Sequence, residues 1–187
     1  MYRVNEIFYS LQGEGAFTGT PMIFVRFSGC NCACTFCDTD FASFRNMTVD
    51  EIVKAVSEFP SKRIVLTGGE PLLQVDDQLI SALHKAGFTL HIETNGTLTA
   101  PPDLDWITCS PKTNSCNLPP EKVNEVKIVF TGQSVDELEK FRLKFPHAKF
   151  YYLQPCSGLN IAETVEMVKR LPQWRLSLQT HKLIDIP

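Results

Sequence analysis

The chain has 187 residues, of which 43% are hydrophobic and 21% charged, the composition of an ordinary soluble globular protein with one core. We therefore expect a single domain over residues 1–187. The net charge is −3, whereas proteins that bind nucleic acids usually carry a basic patch. No apolar run is long enough to cross a membrane. The first residues carry no apolar signal-peptide core, which favours the cytoplasm.

The first two predicted strands lie before the cysteine-rich part of the chain. One covers residues 5–11 and runs into Gln12-Gly13-Glu14-Gly15. Two glycines around a carboxylate make a turn with little side-chain bulk, so that backbone can approach a ligand closely, although an ordinary surface turn explains the same pattern. The second strand, over residues 22–28, is buried in character but contains Arg26. That charge needs either an acid inside the fold or an anionic ligand.

The second strand leads into a loop that holds four of the seven cysteines. This clustering argues against a secreted disulfide scaffold and for metal chemistry in a reducing compartment. Cys30, Cys34 and Cys37 can hold three irons of a [4Fe–4S] cluster and leave the fourth iron open for a substrate or cofactor. The alternative is a closed zinc site that also uses Cys32. The following Asp38-Thr39-Asp40 either offers oxygen ligands to Mg²⁺ or forms a polar turn.

Strands and helices alternate along the rest of the chain. We predict strands at residues 62–67, 88–93, 104–109, 126–130, 149–153 and 175–178, and helices at 48–59, 75–86, 160–171 and from residue 134. Thr48 and Ser134 are each followed three residues later by glutamate, which predicts capping boxes. Repeated βα units predict an α/β fold with a mainly parallel sheet. A complete (β/α)₈ barrel typically takes ~250 residues, so we expect an open, partial barrel with about six parallel strands.

Polar or glycine-rich segments follow several predicted strands. They are Gly68-Gly69-Glu70-Pro71, Ser110-Pro111-Lys112 and Gln154-Pro155-Cys156. Because the carboxyl ends of parallel strands meet at one edge of a sheet, we expect these segments to gather on one face with the cysteine loop. The glycine pair would let backbone meet a small ligand, and Glu70 would add an acceptor for an ammonium group. A tight turn is the simpler interpretation of the same four residues.

These motifs resemble those of the 7-carboxy-7-deazaguanine synthases, a family of radical S-adenosylmethionine enzymes. The cysteine loop after one strand and the Gly68-Gly69-Glu70-Pro71 turn after the next are typical of the superfamily, whose core here would be trimmed. The narrower resemblance is specific because its matches run in order from end to end. They are Leu11-Gln12-Gly13-Glu14-Gly15, Phe36-Cys37-Asp38-Thr39, Leu66-Thr67-Gly68-Gly69-Glu70-Pro71, Ile92-Glu93-Thr94-Asn95-Gly96-Thr97, Ser110-Pro111-Lys112 and residues 174–182.

The resemblance implies a reaction and its cofactors. The substrate would be a small molecule, 6-carboxy-5,6,7,8-tetrahydropterin, converted to 7-carboxy-7-deazaguanine with loss of ammonia on the way to queuosine and other deazapurines. A [4Fe–4S] cluster, S-adenosylmethionine and Mg²⁺ would be the cofactors, with the protein supplying position and electrostatics. The resemblance also implies a homodimer and an electron donor such as flavodoxin or ferredoxin.

Individual residues receive roles from motif matching alone. The cluster would be held by Cys30, Cys34 and Cys37, and Mg²⁺ by Thr39. S-adenosylmethionine would be bound by Phe36, Cys37, Asp38, Gly69, Glu70, Ser110, Pro111, Lys112 and Gln154. The pterin would be bound by Leu11, Gln12, Gly13, Glu14, Arg26, Thr67 and the terminal carboxylate of Pro187. Arg26 suits the substrate carboxylate because a guanidinium matches its geometry bidentately.

Two features depart from the resemblance, and two other functions remain open. Cys32 has no role in the family pattern, and the chain between Asp40 and Thr48 is short for the family. One alternative function is another small radical enzyme, such as a glycyl-radical activase, which would need no pterin pocket. The other is a zinc-stabilised binding module built on the cysteine loop.

Overall fold

The computed structural model describes residues 1–37, 39, 42–112 and 116–187. Within these residues, nine strands form one sheet in the order β3-β1-β2-β4-β5-β6-β7-β8-β9. The strands are β1 (Tyr2–Leu11), β2 (Pro21–Phe27), β3 (Arg45–Met47), β4 (Arg63–Gly68), β5 (Thr89–Thr94), β6 (Trp106–Cys109), β7 (Glu125–Phe130), β8 (Phe150–Pro155) and β9 (Arg175–Leu176). The α-helices are α1 (Val49–Ser57), α2 (Asp77–Lys85), α3 (Val135–Lys144), α4 (Ile161–Arg170) and α5 (Thr180–Leu183).

The sheet is parallel from β2 to β9, whereas β1 pairs antiparallel with both β2 and β3. The predicted α/β fold with an open, partial barrel is confirmed. The short strand β3 was not predicted. It is an edge strand of three residues, two of them exposed, and so it carries neither an apolar run nor an alternating pattern.

Both predicted capping boxes are present. The Thr48 hydroxyl accepts a hydrogen bond from the Glu51 backbone N–H at 3.2 Å, and the Glu51 carboxylate accepts one from the Thr48 N–H at 2.7 Å. Ser134 and Glu137 make the same reciprocal pair at the start of α3. These bonds satisfy backbone donors that the first helical turn leaves unpaired, which is why α1 and α3 begin where the sequence indicates.

The two faces of the sheet bury different residues because successive side chains of a strand point to opposite sides. Ile23, Val25 and Phe27 of β2 join the main core, which also contains the apolar residues of α1 and α2. On the other side, Met22 and Phe24 form a smaller cluster with Val65. We call this second side the inner face. Towards the carboxyl ends of the parallel strands, its residues change from apolar to polar, and this polar end positions the candidate site.

The described residues contain no helix that is both long enough and apolar enough to cross a membrane. The longest helices have 10 residues and carry several charges.

Candidate functional site

A cavity of about 500 Å³ lies at the carboxyl ends of the parallel strands, on the inner face. It brings together predicted residues that are far apart in the chain. Those lining it are Leu11, Gln12, Gly13, Glu14, Arg26, Cys30, Cys34, Phe36, Cys37, Thr39, Thr67, Gly69, Ser110, Lys112, Gln154 and Pro187. Glu70 and Pro111 are not among the described residues that line it, and Asp38 lies outside the described residues. The expected gathering of strand-end segments on one face therefore occurs.

The cysteine loop forms one wall of the cavity. Cys30, Cys32 and Cys34 are half-buried and Cys37 is exposed, and the Cys37 N–H donates to the Cys34 carbonyl at 3.2 Å. Among the described residues, no group of three or more His, Cys, Asp or Glu side chains is arranged to enclose a single metal ion. Three thiols on one cavity wall fit a cluster, because a cluster spreads its ligands over separate irons.

Cys32 differs from the other thiols of the loop in its partners. The Asn95 side-chain amide donates to Cys32 Sγ at 3.4 Å, and the Cys32 backbone N–H donates to Cys30 Sγ at 3.4 Å. Burial, followed by the neighbouring Cys30 and Cys34, raises the pKa of the Cys32 thiol. Cys32 is thus held against the β5 loop, so the structure gives it a packing partner outside the cysteine loop.

The backbone of the turn after β4 faces the cavity, and the Glu70 side chain of this turn is buried in the protein interior. Glu70 is 0% exposed and accepts hydrogen bonds from the Asn95 N–H at 2.7 Å, the Thr94 hydroxyl at 2.7 Å and the Leu72 N–H at 3.0 Å. Burial raises the pKa of Glu70 despite these three donors. The Glu70 oxygens tie the β4 turn to Thr94 and Asn95, and the role of Glu70 toward an ammonium group stays a prediction.

Position 69 requires glycine because the backbone of residue 29 passes close to it. A Cβ at Gly69 would lie 2.1 Å from the Gly29 carbonyl oxygen, which belongs to the segment that enters the cysteine loop. The Glu70 N–H donates to the same carbonyl at 2.9 Å. The two turns are therefore fastened to each other, and Gly69 lies in the cavity wall beside Cys30.

A half-buried lysine lies near the cysteine loop in the segment that follows β6. Lys112 Nζ donates to the Ser110 hydroxyl at 2.8 Å and lies 5.7 Å from the centre of the Phe36 ring. Burial, followed by the positive charge of Lys127, lowers the pKa of Lys112. Ser110, Lys112 and Phe36 form a polar and aromatic patch suited to an adenosine or a carboxylate group.

The turn after β1 also lines the cavity. Glu14 accepts hydrogen bonds from Lys127 Nζ at 2.5 Å, the Gln179 amide at 2.9 Å and the Gln154 amide at 3.2 Å. The Thr180 N–H and hydroxyl each donate to the Gly13 carbonyl at 2.9 Å. This turn is therefore held against β7, β8 and α5, and it is not an ordinary surface turn.

Arg26 and Pro187 lie on the β1–β2 side of the cavity. Arg26 Nε donates to Glu6 Oε1 at 2.6 Å, and its guanidinium lies 5.5 Å from the centre of the Phe8 ring. The partner Glu6 is half exposed, so this ion pair lies at the surface and not inside the fold, and Arg26 also lines the cavity, where it is available to an anionic ligand. The Ser10 hydroxyl donates to the Pro187 backbone oxygen at 2.9 Å, which places the last residue of the chain at this wall.

Sequence reasoning missed several charged or polar residues of the cavity. Lys127, Glu93, Gln179 and His181 all line it without having been assigned roles individually. Lys127 donates to Glu14 and also, at 3.1 Å, to Glu93 Oε2. A signal was available in β7, where charged residues 125 and 127 alternate with apolar residues 126 and 128. Such alternation predicts that the two charges share one face of the strand.

Comparison with known proteins adds to this geometry. A model of the radical SAM superfamily matches residues 24–171. A 7-carboxy-7-deazaguanine synthase from Bacteroides thetaiotaomicron is 53% identical over 186 residues, spanning 100% of this chain and 99% of that protein. One from Bordetella pertussis is 43% identical, spanning 100% and 99%. The crystal structure of QueE from Escherichia coli matches with a TM-score of 0.80 and 29% identity, over 95% of this chain and 93% of that one.

Proposed function

The chain belongs to the 7-carboxy-7-deazaguanine synthase family of the radical SAM superfamily, and on that premise we propose that it converts 6-carboxy-5,6,7,8-tetrahydropterin to 7-carboxy-7-deazaguanine with loss of ammonia. One observation carries the proposal. A single cavity is lined both by Cys30, Cys34 and Cys37 and by Gln12 and Glu14. The residues proposed for the cofactors and those proposed for the pterin therefore share one cavity.

The cofactors follow from the family. When bound, the [4Fe–4S] cluster supplies an electron and S-adenosylmethionine supplies the group that removes a hydrogen atom from the substrate. Cys30, Cys34 and Cys37 would hold the cluster, with three thiolates for four irons. The backbone of the β4 turn, with Ser110, Lys112 and Gln154, holds S-adenosylmethionine. Thr39, which lines the same cavity, provides an oxygen to Mg²⁺.

The protein's own contribution on the substrate side is orientation. Glu14 has its pKa lowered, because the Lys127 charge and the hydrogen bonds of Lys127 and Gln179 outweigh the effect of burial. An ionised Glu14 is an acceptor for the N–H groups of a pterin ring. Arg26 pairs with the pterin carboxylate, and Thr67, which lies beside Arg26 in the parallel register, offers a hydroxyl. Holding the reacting carbon close to the cofactor matters more here than acid–base strength.

The remaining assignments rest on chemistry and family resemblance. One-electron chemistry needs an external reductant, and we propose a small electron-transfer protein such as flavodoxin or ferredoxin. We also propose a homodimer on family resemblance. All seven cysteines are free, as expected in a reducing compartment, which supports a cytoplasmic location.

The deciding experiment is an anaerobic product assay. Protein reconstituted with iron and sulfide is incubated with a chemical reductant, S-adenosylmethionine and 6-carboxy-5,6,7,8-tetrahydropterin, and the products are separated by mass. We expect 7-carboxy-7-deazaguanine. Cleavage of S-adenosylmethionine without a deazapurine would point to a radical enzyme with another substrate, such as a glycyl-radical activase. Zinc in place of iron and sulfide in the purified protein would favour a binding module.

A further inference from the structure

Lys127 is a buried cation on the polar inner face of the sheet. Its side chain is 5% exposed. Its Nζ donates to Glu14 Oε2 at 2.5 Å and to Glu93 Oε2 at 3.1 Å. An ammonium group removed from water is costly unless it is paired, and here two carboxylates from different elements pair with it.

Lys127 connects Gln12 and Glu14, the two ends of the turn after β1. Gln12 Nε2 donates to Glu93 Oε1 at 2.8 Å, and the Glu14 N–H donates to Gln12 Oε1 at 3.1 Å. Lys127 therefore binds Glu14 directly and Gln12 through Glu93. Because β5 and β7 are both fixed in the sheet, this network sets the position of the turn relative to the cavity.

The charges around Lys127 explain why Glu14 is an acceptor at neutral pH. Burial alone lowers the pKa of Lys127, but the negative charges of Glu14, Glu93 and Glu125 raise it well above its ordinary value. Burial alone raises the pKa of Glu14, and Lys127 is the first and largest influence that lowers it.

We propose that Lys127 is a positioning residue of the substrate site, which holds Glu14 ionised and in place so that it accepts hydrogen bonds from the N–H edge of a nitrogen heterocycle. This inference rests on the proposed function and deepens it. Lys127 acts through Glu14 and need not touch the substrate. It adds a requirement to substrate recognition, namely that the bound ring presents N–H donors to a carboxylate whose charge a buried lysine maintains.

The proposal predicts a pH dependence in the Lys127→Met variant. Without the ammonium group, Glu14 keeps its burial and the neighbouring Glu93 carboxylate, both of which favour protonation, and Glu125 adds to this effect at pH values where it is ionised. Lys112 and His181 remain as the other charged or titratable groups facing it. The pKa of Glu14 then rises above its ordinary value, and the group is protonated as pH falls. A protonated carboxyl is a poorer acceptor, so pterin binding weakens about tenfold for each pH unit below the new pKa.

The test measures equilibrium binding of 6-carboxy-5,6,7,8-tetrahydropterin to the anaerobic, cluster-loaded protein between pH 6 and pH 9. In Lys127→Met we expect the pterin Kd to rise as pH falls, by about tenfold for each pH unit below the new pKa of Glu14, and to recover as pH increases. Lys127→Arg, which keeps the charge, should bind with a pH dependence like that of the wild type. The Kd for S-adenosylmethionine should stay within about twofold in both variants, whereas a merely structural defect would weaken both ligands. Lys169→Met removes an exposed lysine on α4 that pairs with Glu166, and it should change neither Kd.

A second pair of variants keeps the test decisive if Lys127→Met does not fold. Lys127→Met combined with Glu93→Gln restores the net charge of the group, and it is compared with Glu93→Gln alone. The double variant should bind pterin more weakly and with the pH dependence described above. Equal pterin binding in the two, or in Lys127→Met and the wild type at every pH, overturns the positioning role and leaves the proposed function standing. A wild-type protein that binds no pterin overturns the proposed function and this inference with it.

Discussion

Glu14 and Glu70 are alike in the sequence and different in the structure. Each follows a strand and a glycine, and each could be interpreted as an acid presented to a ligand. Glu14 lies in the cavity wall and pairs with Lys127, whereas Glu70 is 0% exposed and accepts hydrogen bonds from neutral N–H and O–H donors. Their pKa values move in opposite directions, since burial prevails for Glu70 and the lysine charge prevails for Glu14.

The difference shows that the partner decides what a buried acid does. Three neutral donors make Glu70 a fastening between the β4 turn and the β5 loop, but they do not fully compensate its loss of water. A full positive charge at hydrogen-bond distance does so for Glu14. An acid that stays ionised while facing a cavity can receive a ligand, whereas one that is enclosed by backbone donors supports the walls.

Cys30 and Cys32 repeat this comparison in the cysteine loop. Both thiols line the cavity and both are half-buried. Cys32 has the Asn95 amide as a partner, and it lies outside the three-cysteine spacing of the family. We therefore expect the two cysteines to differ in metal binding as sharply as the two glutamates differ in ligand binding.

Replacing Cys30 should have the largest effect of any change considered. Cys30→Ser removes a soft ligand, so we expect loss of the cluster and of all activity. Cys32→Ser is the matched control and should retain both. Iron and sulfide content, the visible absorption of the cluster and product formation measure the outcome. Loss of the cluster in Cys32→Ser with retention in Cys30→Ser would show that the ligand set is shifted.

Replacing Glu70 should mainly affect stability. Glu70→Ala leaves buried donors of Asn95, Thr94 and Leu72 without their acceptor, and we expect unfolding free energy to fall by about 3 kcal/mol or more. Anaerobic urea unfolding measures it. Glu166→Ala, an exposed glutamate on α4, is the control and should leave the unfolding midpoint unchanged. A normal midpoint in Glu70→Ala would mean that these bonds do not fasten the two turns together.

Replacing Glu14 should mainly affect the reaction with the pterin substrate. Glu14→Gln keeps the size of the side chain and removes its charge, so we expect kcat/KM for the pterin to fall about a hundredfold, the worth of one or two charged hydrogen bonds. S-adenosylmethionine binding should change little. Glu70→Gln provides the contrast, because its loss should appear in stability before it appears in pterin binding. If both variants lose pterin affinity equally, the distinction between the two acids fails.

The features predicted from sequence are those specified by local or repeating patterns. The capping boxes at Thr48 and Ser134 involve residues three positions apart, and the parallel sheet follows from the βα alternation. The grouping of strand-end segments follows from the parallel sheet. These rules need no knowledge of which side chains meet across the fold, which is why they hold without a structure.

The features that were missed depend on long-range partners. Lys127 and Glu14 are separated by 113 residues, so no local sequence pattern indicates that they pair. The enclosure of Glu70 depends on donors from the β5 loop, 24 and 25 residues away. The sequence motifs indicate a functional acid at Glu14 and at Glu70. Only the neighbours of each acid in space show whether it faces a ligand or the interior.

Glu125 provides the last and smallest test of the comparison. The Glu125 carboxylate accepts a hydrogen bond from the Ala16 N–H at 3.1 Å, next to the turn that holds Glu14. Lys127 interacts with Glu125 through its charge and not through a hydrogen bond. Burial raises the pKa of Glu125 to about 7 despite Lys127 and the Ala16 N–H. The folded state therefore holds a proton that the unfolded state releases between about pH 4.5 and 7, and stability falls as pH rises through that window, by about 2 kcal/mol. Urea unfolding at pH 5, 6 and 7 should show this slope in the wild type and in the exposed control Glu121→Gln, but not in Glu125→Gln. An unchanged slope in Glu125→Gln would mean that Lys127 stabilises a carboxylate at a distance as well as in contact, and the contrast between Glu14 and Glu70 would then not depend on direct pairing.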